Sequence, residues 1–220
     1  MRPLVSTQGS RASILRASWA GMACSVFFVA VFILEDLFDP GFDWLSTAIS
    51  EHSLGPYGWV QITNFIVAGL LFLIFAWGVA EENRGCERRT IGPLLFVIIG
   101  VCILLSGPFV TDPFPVVMFS SESTWYGNVH GLLGAIGYAL MPVSCFVFYR
   151  RFRGDPGRHL FAVWSLVACV IIIVAIVLLK VAQLGVMSDL LGLFQRIVLW
   201  VFFGWSFALA FRLRSQVAVR

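Results

Sequence analysis

The chain has 220 residues, of which 59% are apolar and only 12% charged, with a mean hydropathy of +0.90. A soluble domain carries about a quarter charged residues, so this composition excludes a water-soluble globule and makes lipid the main solvent. The formal net charge of +3 is too modest to call for nucleic acid.

Residues 1–17 read as a basic, Ser-rich tail containing Arg2, Arg11 and Arg16. The apolar run from Trp19 to Leu34 leads straight into Glu35, Asp36 and Asp39 without a small-residue cleavage site, so it reads as a retained first span rather than a signal peptide. Five more runs follow, and the six cover 18–38, 58–80, 91–110, 128–149, 160–182 and 193–211. Each holds about 20 residues, the helical length that crosses roughly 30 Å of hydrocarbon; strands of a barrel would be shorter and would alternate. Asp39-Pro40-Gly41 stops the first run, Gly55-Pro56-Tyr57-Gly58 precedes the second, Gly92-Pro93 opens the third and Asp155-Pro156-Gly157 divides the fourth from the fifth. The predicted fold is therefore all-α: an integral membrane bundle of six transmembrane helices forming one domain over 18–211, followed by a short tail over 212–220.

Orientation follows from the cations. Arg2, Arg11 and Arg16, then Arg84, Arg88 and Arg89, then Arg150, Arg151, Arg153 and Arg158, then Arg212, Arg214 and Arg220 make thirteen of the fifteen Lys and Arg, and all fall at one end of the predicted bundle. The positive-inside rule puts that end, with both termini, in the cytoplasm, and the plasma membrane is the expected location. The other two cations, Lys180 and Arg196, lie at the outer ends of the fifth and sixth spans. Eight of the twelve carboxylates are also at the outer end: Glu35, Asp36, Asp39, Asp43, Glu51, Asp112, Glu122 and Asp189. His52 and His130 join them.

Within the first outer loop, Trp44 to Ser53 has the pattern of a short amphipathic helix lying in the interface. Gly127, Gly131 and Ala135 repeat at four-residue spacing at the start of the fourth span, which predicts close helix packing and turns His130 toward protein. Asp112 and His130 fall at similar depth on neighbouring spans, so they are expected either to pair for acid–base work or to act separately, as a turn cap and a carbonyl-bonded ring. Arg196 must snorkel or pair with an acid; it is either an interhelical staple or an anchor for an anionic head group. Trp44, Trp59, Trp125 and Tyr126 either belong to the aromatic belts of the interfaces or line a cavity. The five cysteines, Cys24, Cys86, Cys102, Cys145 and Cys169, show no metal spacing and no disulfide framework. Nucleotide-binding, zinc-protease and hydrolase motifs are absent, so no cofactor and no metal are expected.

Four stretches taken together, Leu37 to Gln61, Ser106 to Pro113, Asn128 to Tyr138 and Gly192 to Arg196, resemble the uncharacterised membrane-protein family catalogued as domain of unknown function 998. The resemblance runs from the first span to the last and implies a small polytopic membrane protein without implying an activity. Matched to its motifs, Asp39, Ser50, Glu51, Gly58, Asp112, Pro113, His130, Gln195 and Arg196 stand out, all at the outer end.

The expected function is a membrane-embedded enzyme acting on a lipid or isoprenoid at the outer leaflet. Asp112, His130 and Glu51 are the expected acid–base residues. Arg196, Gln195, Asp39, Ser50, Trp59 and Trp125 are the expected contacts to an amphiphilic or prenylated molecule. Proton-initiated terpene cyclisation is the most concrete version, because it needs a carboxylic acid aimed into a dry, aromatic-lined cavity. The alternatives are a proton-coupled carrier of small molecules and a non-catalytic, lipid-binding structural protein. The expected partners are membrane lipids and not nucleic acid.

Overall fold

The computed structural model describes residues 8–39, 41–83 and 90–218. Pro40, the loop carrying Arg84, Cys86, Arg88 and Arg89, and the terminal Arg2 and Arg220 lie outside the described residues. Six α-helices follow one another: α1 (Gln8–Phe38), α2 (Gly58–Glu82), α3 (Ile91–Leu105), α4 (Trp125–Phe152), α5 (His159–Gln183) and α6 (Leu191–Ala218). No strand occurs among the described residues.

Five of the helices are long and apolar enough to cross a membrane, and α3, with 15 residues, is a shorter apolar helix. The third span was expected to run to residue 110. It stops at Leu105 because Gly107-Pro108 follows, and proline can neither donate to the helix ladder nor let the preceding residue stay helical. The chain from 106 to 124 then folds back over the bundle end without a helix or strand.

Each helix packs on its sequence neighbours, and α6 closes the ring against α1. A lipid-immersed bundle gains little from the hydrophobic effect between helices, so tight side-chain packing and interhelical hydrogen bonds must hold it. Aromatic rings supply the packing. Phe28 of α1 stacks on Phe203 of α6 with centroids 4.6 Å apart, and Phe96, Phe148 and Trp205 continue the contact toward the other end. The fully buried Trp205 donates its indole N–H to Ser165 Oγ at 2.9 Å, satisfying the one polar atom it brings into the core.

The two ends differ in charge. At the basic end Arg151 pairs with Glu82, Arg212 bonds the Gly157 carbonyl at 3.1 Å, and Arg214 lies 4.5 Å from the Trp19 ring. This last contact places the N-terminal part of α1 and the C-terminal part of α6 at the same end. The acidic end is formed by 39–57, 106–124 and 184–190. Its first loop departs from the expected interfacial helix. A turn over 43–47 is followed by a 3₁₀ helix, Ile49–Leu54, that dips inward and buries Ile49, Ser50, Glu51 and His52. The polar residues turn in because partners wait there, and Trp44 is left 44% exposed.

Candidate functional site

Asp36, in the last turn of α1, receives Arg196 of α6 in a two-pronged contact, with Nε to Oδ2 at 2.9 Å and Nη2 to Oδ1. Arg196 Nη1 donates to the Thr47 carbonyl at 2.8 Å. His52 Nε2 meets the same Asp36 Oδ1 at 2.9 Å, while its ring stacks on Phe42 with centroids 4.0 Å apart. Arg196 is fully buried, so its charge is tolerated only because the bidentate carboxylate and the carbonyl take its donors. Gly192 makes the approach possible: a Cβ there would sit 2.3 Å from the Thr47 oxygen and 2.6 Å from that of Trp44. The first loop thus lies directly on the start of α6, where Leu193 N–H bonds the Leu45 carbonyl at 2.9 Å. Of the two arrangements open for Arg196, the structure forms the staple.

Glu51 holds the two loops together. Oε2 accepts from Ala48 N–H and Oε1 from Phe114 N–H, both at 2.8 Å. Asp112 secures the start of α4: Oδ2 accepts from Thr124 N–H at 2.9 Å and Oδ1 from the Thr124 hydroxyl at 2.7 Å. Thr124 is the N-cap residue, and its Oγ1 in turn accepts from Gly127 N–H at 3.0 Å. Asp112 and His130 are therefore not paired. The His130 ring bonds the Phe109 carbonyl through Nδ1 at 2.7 Å. An oxygen acceptor there requires the hydrogen on Nδ1, which leaves Nε2 as the acceptor nitrogen of the neutral ring. On the exposed loop, Asp43 is held below the usual carboxylate range by the Ser46 hydroxyl and the Leu45 N–H.

A cleft of about 500 Å³ opens at the acidic end, between α4, α5 and α6 and under the 111–119 segment. It leads to a chamber of about 60 Å³ inside the helix ring, walled by Phe28, Phe65, Met141, Leu199 and Phe203. Ser50, His130, Gly134, Tyr138 and Gln195 line both and form the neck between them. Gln195 spans the neck: its Oε1 accepts from Ile49 N–H at 2.6 Å and its Nε2 donates to the Tyr138 hydroxyl at 2.9 Å. The small residues of α4, expected to bring helices together, do so only in part. A Cβ on Gly127 would strike Asp112 and one on Gly131 would strike Met118, but one on Gly134 would meet nothing within 4 Å. Gly134 opens onto the cleft.

Of the expected site residues, Ser50, Glu51, Asp112, His130 and Gln195 all line the cleft. Arg196 is sequestered behind them with Asp36. Trp59 and Trp125 lie on the outer surface, 66% and 60% exposed, and do not line it; the aromatic walls are phenylalanines instead. Asp39 caps its own turn through Gly41 N–H at 3.2 Å and faces a separate groove between α1 and α2 with Glu35 and Tyr57. Asp36 and Tyr138 had no assigned role. The acid pair at the end of the first span pointed toward Asp36, and Tyr138 lies two turns beyond His130 on the same face of α4.

A family model described as "Protein of unknown function (DUF998)" matches residues 22–212. No curated protein and no solved structure matches the chain.

Proposed function

The chain belongs to the DUF998 family, and from that premise we propose that it is a membrane-embedded enzyme that admits an amphiphilic lipid or isoprenoid to the cleft and acts on it by acid–base chemistry. The carrying observation is the placement of His130, buried, with its tautomer set by Phe109, on the wall of a cleft large enough for a molecule of some tens of heavy atoms. Nε2 is then a general base for a substrate proton. The positive-inside rule, applied to the thirteen Lys and Arg that the sequence groups at the other end, supports a cleft that faces the outer leaflet.

Asp112 and Glu51 support this reading as positioning residues. All four of their oxygens accept from N–H or O–H donors of the loops and of the α4 cap. Proton-initiated cyclisation would need an acid aimed into the cleft rather than at these donors, so base chemistry at His130 fits the geometry better. The internal satisfaction of Glu51, Asp112 and Arg196 favours one second reading, a protein that binds an amphiphile without changing it.

Untargeted mass spectrometry of membrane extracts separates the two. Cells with wild type, with His130→Ala and with no protein are compared after feeding a prenylated-substrate mixture. The enzyme reading expects a compound that appears with wild type and disappears with the variant. If extracts are identical while both proteins are folded in the membrane, the binding reading replaces it.

A further inference from the structure

The groove between α1 and α2 carries acids without a counter-charge. It holds about 490 Å³ and shares no lining residue with the cleft between α4, α5 and α6. Val31, Leu34, Glu35 and Phe38 recur at spacings of three and four, so they share one face of α1 over about 10 Å of its length. Tyr57 and Val60 form the facing wall. The inner part of the groove is thus aliphatic, and Glu35 and Asp39 stand toward its acidic end beside the exposed rings of Phe38 and Tyr57.

These two acids are unspent. Glu35 Oε2 is buried and accepts no hydrogen bond among the described residues. Asp39 accepts from the Gly41 N–H through Oδ1, and no cation among the described residues meets it. Arg196 is committed to Asp36, and His52, the basic group on the groove wall, is turned to the same carboxylate through Nε2. No Lys or Arg lines the groove. Three acids close in sequence, answered by one arginine, leave negative charge over, and a buried acceptor is rarely left without a donor.

Ligand classes meet this wall differently. An anion finds no partner. An alcohol can give Glu35 a hydrogen but leaves the charge standing. A quaternary ammonium answers the charge but has no N–H for the unmet oxygen. A protonated amine does both, and its charge suits the faces of Phe38 and Tyr57. The amine of a phospholipid brings a phosphate, for which the groove has no cation. The aliphatic part calls for a chain on the amine. We infer that the groove between α1 and α2 binds a long-chain primary amine without a phosphate, its ammonium on the carboxylates of Glu35 and Asp39 and its chain along Val31, Leu34 and Val60. Rotation about the last side-chain bond of Glu35, which has a broad minimum, can present either oxygen to the ligand. The site stands independently of the cleft and of any reaction there.

The test uses the full chain in phosphatidylcholine nanodiscs at pH 7, with empty nanodiscs as background. A diazirine-tagged dodecylamine, a cation at that pH, is photo-crosslinked to the protein and the labelled peptides are identified. Untagged dodecylamine, dodecyltrimethylammonium and dodecanol compete at equal amounts in the membrane. Dodecylamine is expected to compete at least about ten-fold better than either of the others, because each lacks one of the two features that the groove asks for. Glu35→Gln should weaken dodecylamine by roughly ten-fold and leave dodecanol unchanged. Asp39→Asn should weaken it less, and the ligand series on wild type decides the matter if a variant is unstable. Equal competition by dodecanol or by the quaternary ammonium, no effect of a folded Glu35→Gln, or no saturable label on α1 and α2 peptides overturns the site. Displacement of the probe by phosphatidylethanolamine added to the nanodiscs overturns the choice of an amine without a phosphate in favour of a lipid head group.

Discussion

An arginine cannot stay bare beside hydrocarbon, and the partner chosen for Arg196 decides what the acidic end is. Asp36→Asn would leave a buried guanidinium with an amide in place of its counter-charge, and breaking such a pair typically costs about 3–5 kcal/mol. Thermal melting in detergent should show a large loss for Asp36→Asn. Arg196→Met, which removes the cation but leaves Asp36 its contact with His52 Nε2, should lose less. Glu51→Gln keeps the shape but turns an NH₂ toward one of the two N–H donors, so a loss of about 1–3 kcal/mol is expected in the same assay. Asp43 gives a pH-dependent case. Its carboxyl titrates below the ordinary value, so its bonds to Ser46 and Leu45 persist above about pH 4 and are lost as the pH falls through the lower folded value. Amide exchange at Leu45 should accelerate over that window. Sequence reasoning could say that Arg196 needed an acid. It could not say which, because eight carboxylates share that end and only the rotation of α1 turns Asp36, rather than Glu35, toward α6.

Helices set the next level. The run through Tyr138 shows why small residues are ambiguous in a sequence: the same glycine spacing serves close packing or empty space, depending on whether a neighbour fills it. Here α4 and α6 scarcely touch, and a hydrogen bond between Gln195 and Tyr138 bridges the gap. A Cβ on Gly134 meets nothing within 4 Å, so Gly134→Leu should narrow the cleft. Photo-crosslinking of a diazirine-tagged prenol to cleft peptides should fall several-fold while the melting temperature stays within a few degrees of wild type. Asp112→Asn should loosen the cap of α4, costing about 1 kcal/mol and speeding exchange at Thr124 and Gly127 more than elsewhere. Five of the helix positions were legible from hydropathy alone. The early end of α3 was written in Gly107-Pro108, but the apolar Phe109 and Val110 beyond it masked the break.

At the scale of the whole molecule, the ring of helices and the contrast between its ends were legible because both depend on composition rather than on side-chain geometry. Topology can be tested directly in a Cys86→Ser background, since the four cysteines among the described residues are buried. Ser121→Cys and Gly154→Cys place exposed thiols at opposite ends. A membrane-impermeant maleimide should label the first on intact cells and the second only after permeabilisation; the reverse pattern would invert the protein. The cleft itself was not legible, because it arises where three helices diverge and a loop folds over them. The clasp between Asp36 and Arg196 has a further consequence, one of time. The two residues are 160 positions apart, so at roughly 5–20 residues per second the ribosome makes the second about eight to thirty seconds after the first. Throughout that interval the growing chain carries an acid at the membrane surface with no arginine to meet it. The last helix to be synthesised is thus the one that completes the first loop, and a chain that stops short of it exposes its defect to the cell's proteases.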